Sequence, residues 1–95
     1  MTTTDFEIKQ ELLGKLEQVR LQLSKTHHDI NNPLAVISGN VELLEELSKA
    51  LGVDADLGGP LEDIEKAVQL LAEHVDRLIV VRKILSDLTE NLTES

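Results

Sequence analysis

The sequence predicts an all-α fold: a long antiparallel helical hairpin that dimerises into a four-helix bundle. Three observations carry this. Apolar residues recur every three or four positions along two long stretches. A segment rich in glycine, aspartate and proline separates those stretches. The apolar content is almost all aliphatic, with one phenylalanine and no tryptophan or tyrosine in 95 residues, which suits helix-on-helix packing.

The first stretch carries a stripe at Leu12, Leu16, Val19, Leu23, His27, Ile30, Leu34, Ile37, Val41, Leu44, Leu47 and Leu51. This is the spacing of a bundle seam. Asp5 suits an N-cap after "MTTT". Gly52 suits a left-handed stop, and Lys49 faces the negative end of the helix dipole. "GVDADLGGP", residues 52–60, is expected to form the turn. Pro60 then opens a second helix, with Glu62 and Asp63 near its positive end. The second stripe runs Leu61, Ile64, Val68, Leu71, Val75, Leu78, Arg82, Leu85, Leu88 and Leu92. Glu62–Lys66 and Glu73–Arg77 are spaced for ion pairs on the surface. The two helices are expected to span roughly 46 and 32 residues, or roughly 70 and 48 Å.

One hairpin cannot cover so many apolar positions. Ile30, Leu34, Ile37, Val41 and Leu44 would stay half wet against a single partner helix. Further apolar positions lie off the stripe: Leu13, Val36 and Leu43 on the first helix, Ala67, Leu70, Ile79 and Val81 on the second. A homodimer hides both sets. The second helix would end opposite about residue 20, by the equal rise of the two helices. Residues 1–18 are therefore expected to form an N-terminal coiled-coil extension and residues 19–95 the hairpin.

The net charge of −9 disfavours nucleic-acid backbones and anionic membrane surfaces. No apolar run reaches the length of a membrane span, and the first residues lack the pattern of a signal peptide. The expectation is a cytoplasmic segment with no membrane contact. Without cysteine, disulfides and thiolate metal sites are excluded.

The stretch "THHDINNPLAVISGN", residues 26–40, interrupts the apolar pattern. His27 falls on the buried stripe, as a packed helix residue. His28 lies about 100° further round, toward solvent. Asn32 is four residues after His28 and three after Asp29, so the three share one face. Pro33 removes a helix hydrogen bond and clashes with the carbonyl of Asp29, which is expected to kink the helix there. Asn31 reads as a solvated helix residue, His74 as a surface or rim histidine, and Glu42, Glu45 and Glu46 as a solvated face. Adjacent His27 and His28 point apart, so no metal site is expected.

His28-Asp29-Ile30-Asn31-Asn32-Pro33-Leu34 resembles the H-box of sensor histidine kinases, in their dimerisation and histidine-phosphotransfer domain. The pattern is histidine, acid, an apolar residue, two variable residues, proline and leucine, and every position is matched. Both helices and the loop agree, so the resemblance covers nearly the whole chain. It implies that His28 is the phosphoacceptor nucleophile and passes its phosphoryl group to an aspartate of a response-regulator receiver domain. A neutral imidazole has the lone pair this needs near pH 7. Asp29 takes the role of the neighbouring acid or base. Asn32 matches the polar position that orients water for hydrolysis of the regulator's phosphoaspartate. No cofactor is expected in this chain. ATP and magnesium would act only through a catalytic kinase domain or the regulator, and nothing here resembles the nucleotide-binding boxes of that domain. Autophosphorylation is therefore expected to need an ATP-binding domain in cis or trans. Two other functions fit the residues. One is a regulator phosphatase or binding module resting on Asp29 and Asn32, and the other is a structural dimerisation bundle with a relict H-box.

Overall fold

The computed structural model describes residues 2–94, with side chains from residue 4 onward. It contains two helices, α1 (Thr2–Ala50) and α2 (Asp54–Glu94), and no strand among the described residues. The expected helical hairpin is thus the observed fold.

α1 stops where expected. Gly52 has a φ of 72°, the left-handed conformation that glycine adopts without steric cost. The amide of Leu51 donates to the Leu47 carbonyl, that of Gly52 to Lys49, and that of Val53 to Ser48. These bonds satisfy the last carbonyls of α1. Lys49 lies in its last turn.

Both helix starts differ from expectation. α1 begins at Thr2, so Asp5 lies inside the first turn and does not cap it. Met1 lies outside the described residues. The turn expected at residues 52–60 is far shorter, because α2 begins at Asp54. The Val53 carbonyl accepts from the amides of Asp56 and Leu57, and Asp54 and Asp56 sit at the positive end of the dipole. Gly58, Gly59 and Pro60 are therefore helical in spite of their poor propensity. Leu61 is buried one residue later, and that packing outweighs the local preference.

The chain divides into two compact units. The central unit, His28–Val75, includes the hairpin turn. It holds all six residues that are buried among the described ones. They are Leu34, Val41 and Ser48 on α1, and Leu61, Val68 and Val75 on α2. Each set repeats every seven residues, the period of a seam between supercoiled helices. Ser48 is 3% exposed, and its hydroxyl donates to the Glu45 carbonyl at 2.9 Å, so it enters the core without an unsatisfied group. The expectation that Leu34 and Val41 stay half wet is corrected, since α2 alone covers them. Ile30, Ile37 and Leu44 do remain exposed, as do Leu57, Ile64 and Leu71.

The other unit comprises the residues up to His27 and from Asp76 onward. Here the same seven-residue series continues through His27, Arg20 and Leu13 on α1 and Arg82 and Thr89 on α2, all half-buried, and reaches the exposed Phe6. Four of the five half-buried members are polar. Side-chain hydrogen bonds join the helices: Arg82 Nη1 donates to Ser24 Oγ at 3.0 Å, and His27 Nε2 lies 3.3 Å from Asp76 Oδ1. Arg20 donates from Nε and Nη2 to the two carboxylate oxygens of Glu17, the Nε bond measuring 3.0 Å. This interaction, first as a hydrogen bond and then through charge, lowers the Glu17 carboxyl below its usual range and raises Arg20. Glu17 and Arg20 line a groove with Ser86, Thr89 and Glu90. α2 therefore reaches beyond the expected end opposite residue 20, because it starts earlier and runs for 41 residues.

Candidate functional site

The heptapeptide His28–Leu34 lies within α1, inside the central unit. Leu34 is buried and anchors the segment against α2. His28, Asp29, Asn32 and Pro33 are all exposed, and Ile30 is at the edge of exposure. The alternation follows from helical geometry. Successive residues turn by about 100°, so a single anchored leucine leaves most of the preceding turn outside. His28 offers its ring to solvent, as the sequence predicts.

Asp29 and Asn32 lie within one turn of His28 on the exposed side of α1. Among the described residues, no ion pair or side-chain hydrogen bond engages His28, Asp29 or Asn32. Their polar atoms are available to an incoming group. Asn31 is half-buried, not solvated as expected, because it sits three residues before Leu34 toward the seam.

α1 is continuous through Pro33. Pro33 has no N–H to give the Asp29 carbonyl. Asp29 is exposed, so water can satisfy that carbonyl.

His27 differs from its neighbour. Its side chain is 23% exposed and meets Asp76, which is 67% exposed. Asp76 did not stand out in the sequence. Its spacing of 49 residues from His27 becomes meaningful only once α2 folds back. His74 is exposed, as expected. No group of three or more histidine, cysteine, aspartate or glutamate side chains is placed to hold a metal ion among the described residues.

A second polar feature escaped the sequence reading. At the turn end of the central unit, a groove of about 360 Å³ is lined by Glu45, Ser48, Lys49, Glu62 and Glu65 among others. Glu45 is half-buried, so it does not belong to a simply solvated face. Its charge raises the Glu65 carboxyl above the ordinary range, helped by a hydrogen bond between the two, by some desolvation, and by the charges of Glu42 and Glu62.

No helix among the described residues is long and apolar enough to cross a membrane. No match was found among curated proteins or among solved structures. The family model described as "His Kinase A (phospho-acceptor) domain" matches residues 18–91, more than three-quarters of the chain. That span contains the exposed histidine, its proline and the full hairpin turn. An exposed histidine on a continuous helix, backed by a buried aliphatic seam, and a family model covering both helices lead to one conclusion: this chain belongs to the His Kinase A phospho-acceptor domain family.

Proposed function

We propose that the chain acts as a cytoplasmic dimeric phosphotransfer domain in which His28 accepts a phosphoryl group and passes it to a response-regulator aspartate. The observation that carries this reading is the exposure of His28 within a fully matched H-box. Family membership supports the phosphoacceptor role in two-component signalling.

The chemistry follows from the residue types. The lone pair of one ring nitrogen forms a bond to the γ-phosphorus of ATP, and the bond from that phosphorus to the ADP oxygen breaks. The proton on the other ring nitrogen passes to Asp29 or to solvent, leaving a neutral phosphoimidazole. In the second step a carboxylate oxygen of the regulator attacks the phosphorus, and the imidazole leaves as the proton returns. ATP and magnesium enter through a kinase domain or the regulator, and the residues here supply the acceptor, its acid or base, and the docking helix.

Exposed apolar positions support a homodimer. Ile37 is 41% and Leu44 46% exposed, on α1 flanking the buried seam, while Ile64 and Leu71 are exposed on α2. A second copy would cover them.

The test is to incubate the full chain with a receiver domain phosphorylated by acetyl phosphate in magnesium buffer. Acid-labile phosphate is expected on wild-type chain and not on His28→Gln, which should remain fully helical because residue 28 is exposed. Equal labelling of both would overturn the assignment. A phosphatase role is the second reading, favoured by the exposure of Asn32 one turn from His28. Asn32→Ala should slow loss of phosphate from the receiver domain and leave transfer to His28 intact.

A further inference from the structure

We infer that Asp76 determines which of the two adjacent histidines is the acceptor, by occupying Nε2 of His27 and so withdrawing that ring from phosphoryl chemistry. The inference rests on the proposed role of His28 as the phosphoacceptor and adds the means by which its neighbour is excluded.

His27 and His28 are chemically identical side chains placed side by side, and an incoming phosphorus reaching one turn of α1 could meet either. Two features separate them. His28 is exposed, whereas the His27 side chain is 23% exposed. The Nε2 atom of His27 lies 3.3 Å from Asp76 Oδ1. A carboxylate can only accept, so the His27 nitrogen facing it must carry the proton. A protonated Nε2 has no lone pair to form a bond to phosphorus. In the neutral ring the remaining lone pair is on Nδ1, the nitrogen nearer the helix backbone.

Asp76 lies 67% exposed at its own position, so it is not required to fill the core. Its hydrogen bond to a histidine of α1 is what sets it apart from the other exposed acids of α2 among the described residues. Replacing it removes the acceptor and changes little else of the packing.

Phosphoramidate is a suitable probe, because it phosphorylates imidazoles without a kinase. The ring lone pair bonds to phosphorus, the phosphorus–nitrogen bond breaks, and the departing ammonia takes the imidazole proton to become ammonium. His74, exposed on α2, serves as an internal standard for an ordinary surface histidine.

Full-length His28→Gln chain would be treated with phosphoramidate, alone and with Asp76→Ala or Asp76→Leu added. Mass spectrometry maps the site, and two-dimensional NMR identifies the nitrogen that carries phosphorus. In His28→Gln, Nε2 labelling of His27 should be slower than that of His74. Adding Asp76→Ala or Asp76→Leu should raise the His27 to His74 ratio about fivefold, the factor an ordinary net hydrogen bond represents. Circular dichroism checks that helicity is kept, and two different replacements guard against one that perturbs the helix. Labelling of His27 as fast as His74 while Asp76 is present would overturn the inference. So would an unchanged ratio in both Asp76 variants. Failure of the wild-type chain to label at His28 faster than at His74 would instead count against the phosphoacceptor assignment, which keeps the two failures apart.

Discussion

Arg82 on α2 donates from Nη1 to the Ser24 hydroxyl on α1 at 3.0 Å, at a seam position where α2 uses leucine or valine in the central unit. The bond is half-buried and joins a charged donor to a neutral acceptor. Such bonds contribute about 1.5–3 kcal/mol. Ser24→Ala and Arg82→Ala should each destabilise the chain. Made together, they should cost less than the sum by about 1 kcal/mol, as expected of contacting residues. Urea unfolding of the four chains at one protein concentration measures that coupling, and strict additivity would show that the two side chains act independently.

The central seam should respond differently. Leu34 is buried while Val36, two residues along the same helix, is exposed. Leu34→Ala should cost about 2–4 kcal/mol through lost burial and a cavity. Val36→Ala should change stability by less than about 0.5 kcal/mol. Thermal unfolding of the two variants checks the contrast.

Glu65 supplies a pH dependence whose sign is determined. The charge of Glu45 holds the Glu65 carboxyl above its ordinary value, aided by their hydrogen bond, some desolvation and the charges of Glu42 and Glu62. The folded chain therefore binds this proton more tightly than the unfolded chain does. The associated stability is fully present below the ordinary glutamate range and is lost as pH rises through the raised value. At pH 7 Glu65→Gln removes a repelling charge, so its melting temperature should exceed that of wild type. Near pH 4 Glu65 is itself largely neutral, and the difference should shrink toward zero. Melting curves at the two pH values test this, and a constant difference would exclude the Glu45–Glu65 origin.

If the exposed apolar positions of the central unit meet a second copy, charge placed there should disrupt assembly. Ile37→Asp with Leu44→Asp should turn the dimer into a monomer at micromolar concentration, read by light scattering. Lys66→Ala, which removes an exposed ion pair with Glu62 one turn away at 3.1 Å, should leave the mass unchanged.

Gly52 should resist substitution for a reason unrelated to space. A Cβ there would meet nothing within 4 Å, yet φ is 72°. Gly52→Ala should therefore cost about 1 kcal/mol of backbone strain, against little for Gly39→Asn on an open helix face. Urea midpoints distinguish the two.

Much of this protein is written in its residue order. Helical periodicity marked both helices, the stop at Gly52, the partial burial of His27 and the exposure of His28, because these follow from the 3.6-residue turn and from one glycine's freedom of φ. The H-box too is a local pattern, readable before any folding. The start of α2 at Asp54 was not, because Gly58, Gly59 and Pro60 individually oppose a helix and only the burial of Leu61 against α1 reverses that preference. Nor were the pairs His27–Asp76, Ser24–Arg82 and Glu45–Glu65 legible in advance. Their members are 20 to 58 residues apart, and it is the folding-back of α2 that brings each acid or base to its partner. Local dihedral preference and side-chain period decided what the helices are. Which polar groups meet was decided by the tertiary register between them.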